Sequence, residues 1–140
     1  MDTDVVVAGT RSRAGASRVW LRAALSGRVD FLLTVPLALQ YEEVLMRDTH
    51  LLAAGANRDD MMAVLDALIA VSTEVEVSFT WRPALRDVTD EMVLEAAVAG
   101  GAECLLTFNL KDFRGAERFG INVLTPGDGL AVARRKGVAI

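Results

Sequence analysis

Arg86-Asp-Val-Thr-Asp90-Glu-Met-Val-Leu-Glu95-Ala-Ala-Val-Ala-Gly100-Gly-Ala-Glu-Cys-Leu105-Leu-Thr-Phe-Asn-Leu110-Lys-Asp-Phe113 is the stretch that decides the fold. It opens with Asp87, Asp90 and Glu91, acids of the kind a helix dipole favours at an N-terminus. Val93, Leu94, Ala97 and Val98 recur at helical spacing, and Gly100-Gly101 stops the helix. Cys104 to Leu106 then predicts a short buried strand, ending in the polar run Thr107-Phe108-Asn109-Leu110-Lys111-Asp112. Acids at a helix start and polar residues at the next strand's carboxyl end suit one crevice of an α/β sheet. Sites in such sheets lie outside the carboxyl ends of the strands.

Working outward, the same alternation of strand and helix runs through the chain. Asp2 to Ala8 predicts a strand with Val5, Val6 and Val7 as its buried run. Only Met1 precedes it, so the expectation is a truncated or misassigned start, a weakened sheet and Asp2 near a mobile, charged terminus. After the loop Gly9 to Gly15, a helix is expected from Ala16 to Ser26, with Val19, Trp20, Ala23 and Ala24 on one face. Trp20 reads as core or interface. A strand from Val29 to Leu33 leads to Thr34 as N-cap and Pro36 in the first turn of a helix reaching Met46. Glu42 and Glu43 read as a solvated face of that helix. Arg47 to Asn57 is expected to be a connection carrying a surface histidine, His50. Asn57 and Asp60 form a capping-box pattern for a helix from Arg58 to Val71, with Met62, Leu65, Leu68 and Ile69 as its apolar face and Met61 and Met62 as core or dimer filler.

Thr73 to Phe79 alternates and predicts an edge strand. Trp81-Arg82-Pro83 is then a loop approaching the acids, where Arg82 and Arg86 either hold a phosphate chain or pair with Asp87. Ile121 to Leu124 is the last expected strand. Thr125-Pro126-Gly127-Asp128 starts a final helix that ends in Arg134-Arg135-Lys136. Cys104, inside an apolar run, reads as an inert core residue. The strand–helix alternation predicts a parallel α/β sandwich of about five strands.

Three motifs together resemble a PIN domain, in the branch of toxins of toxin–antitoxin systems. They are Asp2-Thr3-Asp4-Val5, then Val35 to Leu45, then Asp87 to Phe113 with its Asp-Glu-Met-Val-Leu-Glu-Ala-Ala-Val and Thr-Phe-Asn-x-x-Asp-Phe. The resemblance covers nearly the whole chain and implies a three-layer sandwich with strand order 3-2-1-4-5. It further implies a metal-dependent endoribonuclease, with Mg²⁺ or Mn²⁺ as cofactor, RNA as substrate and a cognate antitoxin as partner. Asp2, Asp90, Asp87 and Asp112 would be the metal ligands, and Asn109 would orient a water or phosphate. Asp2, Asp90, Asp112 and Asn109 would form the catalytic set, with Thr3, Arg82 and Arg86 as substrate contacts. The chain departs from the pattern where Gln40 replaces the first helix's glutamate, Asp4 replaces an asparagine and Thr89 replaces an acid. The alternative is therefore a non-catalytic PIN domain that binds protein or RNA without cutting.

Composition bounds the rest. At 140 residues the chain is expected to be one domain, 1–140, able to bury a core without staples. A hydrophobic fraction of 52% suits a dense core plus a subunit interface, hence an expected homodimer. One cysteine excludes an internal disulfide and suits a reducing cytoplasm. No apolar run approaches the ~20 residues of a membrane helix, and no leader pattern precedes Asp2. The net charge of −4 does not favour nucleic acid through overall charge, although carboxylates gathered around divalent cations invert the local sign.

Overall fold

The computed structural model describes residues 1–77 and 87–140. Ser78 and Phe79 of the expected edge strand, the loop Trp81-Arg82-Pro83, and Arg86 lie outside the described residues.

Local capping chemistry sets where four helices begin. Thr34 Oγ1 accepts the Leu37 N–H at 3.2 Å and starts α3 (Val35–Leu45), with Pro36 in the first turn. Asn57 and Asp60 exchange side-chain bonds of 2.8 and 3.1 Å with each other's backbone N–H groups, closing the capping box of α5 (Arg58–Val71). Asp87 accepts the Thr89 N–H at 2.8 Å at the start of α6 (Val88–Ala99). Thr125 accepts from Asp128 at 3.2 Å at the start of α7 (Pro126–Arg135). Ahead of these run α1 (Thr3–Arg11) and α2 (Ala16–Leu25), and α4 (Asp48–Ala54) lies between α3 and α5.

The strands are short. β1 (Leu32–Leu33) pairs in parallel with β2 (Thr73–Glu74), Leu32 opposite Thr73. β3 (Cys104–Leu106) pairs in parallel with β4 (Asn122–Leu124), Leu105 opposite Val123. Parallel α/β character is therefore present, but the described strands form two separate pairs where one sheet of about five strands was expected.

The segment expected as the first strand accounts for the difference. Asp2 to Ala8 is helical from Thr3 onward, its first turn closed by Val5 and Val6 N–H groups donating to the Asp2 carbonyl at 3.0 and 3.3 Å. A valine run favours strand by propensity, yet packing of Val5, Val6 and Val7 on several sides lets a buried helix satisfy it as well. Only Asp2 keeps a strand-like contact, its N–H donating to Leu106 O at 2.9 Å.

Most apolar residues converge on one core. It includes Phe31, Tyr41, Leu65, Leu68, Val93, Leu94 and Leu105, with the Phe31 and Tyr41 rings stacked at 6.4 Å. A smaller cluster joins Val5, Trp20, Leu106, Leu130 and Ala133. Trp20 is its anchor, donating its indole N–H to Pro126 O at 2.9 Å and tying α7 to α2. Gly129 permits that approach, since a Cβ there would meet Leu106 Cδ2 at 2.8 Å and the Trp20 ring at 3.1 Å.

Two further expectations are corrected. On α5 the buried face is Met61, Leu65 and Leu68, while Met62 and Ile69 are partly exposed. His50 is not on the surface: it lies on α4 with 1% of its area exposed. Arg11 Nε donates to its Nδ1 at 2.9 Å, and Thr10 Oγ1 stands 3.1 Å from its Nε2. Because the Thr10 hydroxyl already donates to Val7 O at 2.8 Å, it is left to accept the Nε2 proton. Burial, and then the Arg11 charge, hold His50 below its usual pKa. Both ring nitrogens are engaged, so the neutral imidazole ties α4 to α1 as a structural link.

Candidate active site

The site is built where the start of α1, the start of α6 and the carboxyl end of β3 meet. Asp2 is the N-cap residue of α1, with 6% of its area exposed. Its backbone is held by Leu106 O, and its Oδ2 accepts the Thr107 hydroxyl at 2.7 Å. Burial pushes the Asp2 carboxyl above its usual pKa, and the Asp4 charge adds to the rise, while the Thr107 bond opposes it. Asp2 is thus held in a buried, bonded position, against the expectation of a mobile terminus.

Asp90 stands in the first turn of α6, half-buried. Its carboxyl is pushed up to about 6, first by burial and then by the charges of Asp2, Asp87, Asp112 and Asp4. Like charges near a partly buried carboxyl disfavour its ionised form. The charges that act on Asp90 thus include those of the three other aspartates expected as ligands and that of Asp4, which is exposed on the first turn of α1.

The members differ in how they are held. Asp87 is exposed and serves as the α6 cap, taking bonds from both the hydroxyl and the N–H of Thr89. Those bonds hold its carboxyl below the usual range. Asp112 is exposed on a 3₁₀ turn, Leu110–Phe113, and Asn109 just before it is exposed too. The Asn109 N–H donates to Thr107 Oγ1 at 3.0 Å. Thr3 is buried in the first turn of α1. Gln40 is half-buried on α3, and Glu43 is turned outward into an exposed pair with Arg47 at 3.1 Å. Glu43 is therefore a surface residue and no stand-in for the acid missing at position 40. Arg82 and Arg86 lie outside the described residues.

Thr107 is the residue in contact with the candidate ligand Asp2 that sequence reasoning passed over. It is fully buried, donates to Asp2 and accepts from Asn109, joining the first acid to the last loop. The available signal was a hydroxyl at the end of an apolar strand, two residues before Asn109.

The family model described as PIN domain matches residues 1–111, which include Asp2, Asp90 and Asn109. The chain belongs to the PIN domain family. PIN domains are generally nucleases that act on RNA, and they typically use divalent metals. No curated protein and no solved structure matches the chain. In this PIN domain the donor chemistry fits such a metal, since Asp2 at the start of α1 and Asp90 at the start of α6 offer hard carboxylate oxygens. The fit is one of chemistry rather than of a closed cage. Among the described residues, no three Asp, Glu, His or Cys side chains are arranged as a preformed metal group.

Proposed function

We propose that this PIN domain is a metal-dependent endoribonuclease, the toxin component of a cytoplasmic toxin–antitoxin pair that works as a homodimer. One observation carries the nuclease reading: the Asp90 carboxyl, at the start of α6, is pushed up to about 6, first by burial and then by the charges of four other aspartates. A site that keeps like charges together against repulsion suits a divalent cation. Asp2 and Asp90 would be the main ligands for Mg²⁺ or Mn²⁺, with Asp87 and Asp112 in support. Bound there, the metal would supply Lewis-acid stabilisation of a phosphate and acidify a water. Thr107 holds the Asp2 carboxylate in place, and Asn109, tied to Thr107, would orient the water or the phosphate. Thr3, Arg82 and Arg86 would contact the RNA backbone, and a cognate antitoxin would block the crevice.

The test is Mn²⁺ binding by calorimetry beside cleavage of a mixed RNA substrate, on the parent and on Asp90→Asn. Binding and metal-dependent cleavage in the parent, both lost in the variant, are expected. Full cleavage by Asp90→Asn would overturn the assignment.

A second reading has its own support. Gln40 occupies an acid position, and Glu43 is engaged with Arg47 on the surface. On that reading the domain binds RNA or protein without cutting, and calorimetry would find no metal binding in the parent.

A further inference from the structure

The outer face of α1 joins two surfaces of opposite charge. Asp4, Val7, Ala8 and Arg11 follow one another at spacings of three and four residues, so they share one side of the helix. With Ser12 they line an open trough of about 420 Å³. At one end is Asp4, whose charge is among those that raise Asp90. At the other is Arg11, seven residues further along the helix and so ~10 Å away. The floor between them is low, because Val7 is buried and Ala8 is small.

Arg11 stands there as a prepared donor. Its Nε–H is spent on His50 Nδ1 at 2.9 Å, and His50 Nε2 is held in turn by Thr10 at 3.1 Å. That bond fixes the guanidinium plane and leaves its terminal N–H groups for another acceptor. A planar fork anchored in this way loses little freedom on binding a phosphate. More positive charge stands at the same end of α1. Arg18 Nη1 donates to Gly9 O at 3.2 Å, in the last turn of α1. Gly9 permits that close packing of α2, since a Cβ there would meet Leu21 Cβ and Ser17 O at 3.1 Å. Arg13 is exposed in the connecting loop, and Arg22 is exposed one turn beyond Arg18. Among the described residues, none of these four arginines forms an ion pair with a carboxylate. The α1 dipole favours a cation in its last turn, yet Arg13 and Arg22 lie outside that helix. In a chain of net charge −4, this is an unneutralised basic patch at one end of the trough.

We propose that the outer face of α1 is the track of a single-stranded RNA backbone, with Arg11, anchored on His50, as its phosphate clasp. The strand runs from Asp4 over Val7 and Ala8 to Arg11, and Arg13, Arg18 and Arg22 receive the phosphates beyond. A trough lined from one helix and the residue after it suits one strand rather than a duplex, and positive grooves that follow the backbone are how single strands are held. The choice of RNA as ligand rests on the nuclease reading.

The test is fluorescence anisotropy with a short single-stranded RNA of mixed sequence over a range of salt. It uses metal-free protein carrying Asp90→Asn, so that nothing is cut. Adding Arg11→Gln is expected to weaken binding about tenfold, the size of one hydrogen bond to a charged group. It should also flatten the slope of log K against log salt by about 0.7, one phosphate contact on a single strand. Arg135→Gln, exposed in the last turn of α7, removes the same charge outside the trough and should do neither. Unchanged affinity and slope in a folded Arg11→Gln would overturn the proposal, as would an equal loss in Arg135→Gln or no binding of RNA at all. Should Arg11→Gln lower Tm, the exposed loop variant Arg13→Gln decides by the same two readings. Binding of poly-glutamate that Arg11→Gln abolishes, with no binding of RNA, would overturn the proposal by making the partner an acidic protein. The nuclease reading fails separately: RNA held along α1 by a parent protein that cuts nothing with Mn²⁺ would break that reading and leave this one standing.

Discussion

Met1 and Asp2 are neighbours in sequence but face two regions with opposite electrostatic problems. On the Asp2 side, burial and the charges of neighbouring aspartates raise the Asp2 and Asp90 carboxyls above their usual pKa. On the Met1 side, an amine is buried against an apolar groove, which favours its neutral form. Each side holds a desolvated charge, and the two partly offset each other, since the Asp2 charge favours the Met1 ammonium and the ammonium favours the Asp2 carboxylate. A cation would relieve the repulsion on the first side. Desolvation alone thus does not identify a catalytic site; the number and sign of the surrounding charges do.

The largest expected effect would break the acidic half of this contrast. Replacing a direct ligand should cost more than the roughly 10- to 100-fold typical of outer-shell changes. Mn²⁺ affinity of Asp90→Asn is therefore expected to fall at least about 100-fold by calorimetry. The metal-free variant should be no less stable than the parent at pH 7, because it sheds a repelled carboxylate. A destabilised metal-free variant would mean that Asp90 is structural.

Thr107→Val comes next. Removing a bond to a buried carboxylate is expected to cost about 2 kcal/mol in denaturant unfolding and to loosen Asn109 as well. Tyr41→Phe removes the hydroxyl bond to Met1 O on the groove side, for about 1 kcal/mol.

The pH dependence sharpens the contrast because the two sides have opposite signs. Asp90 binds protons more tightly folded than unfolded, so its contribution to stability is lost as pH rises through about 6. Cation affinity should rise over the same window. The Met1 amine binds its proton less tightly folded, so stability from this group increases as pH rises toward 8.0, the ordinary value of a terminal amine. Acetylating the amine should abolish only the second slope, which melts at pH 6 to 9 would show. Smallest of all, Glu43→Gln should change stability by less than about 0.5 kcal/mol and leave metal binding intact, since Glu43 only pairs with exposed Arg47.

What could be read from sequence was local. Asn57 with Asp60, Thr34 before Pro36, and Thr125 before Asp128 all cap the helices their spacing announced. These bonds close within three residues, so no distant contact is needed to predict them. Cys104 to Leu106 was legible as a strand because a short apolar run is bounded there by glycines and polar residues. The aspartates were legible as candidates through their places at helix starts and the strand end.

The remainder required distant partners. A valine run at positions 5 to 7 carries no sign of whether it will be a strand or a helix packed on several sides, and tertiary packing chose the helix. His50 reads as a surface residue until Arg11 and Thr10, some 40 positions away, enclose it. Thr107 becomes part of the site only because Asp2, 105 residues earlier, accepts its hydroxyl. By itself the sequence determined the caps, the helix faces that pattern cleanly, and which acids could matter. Only the tertiary structure decided which charges act on Asp90 and which strand edges face a groove. The physical reason is range: capping and periodicity act within a few residues, whereas desolvation and charge repulsion depend on what the fold brings near.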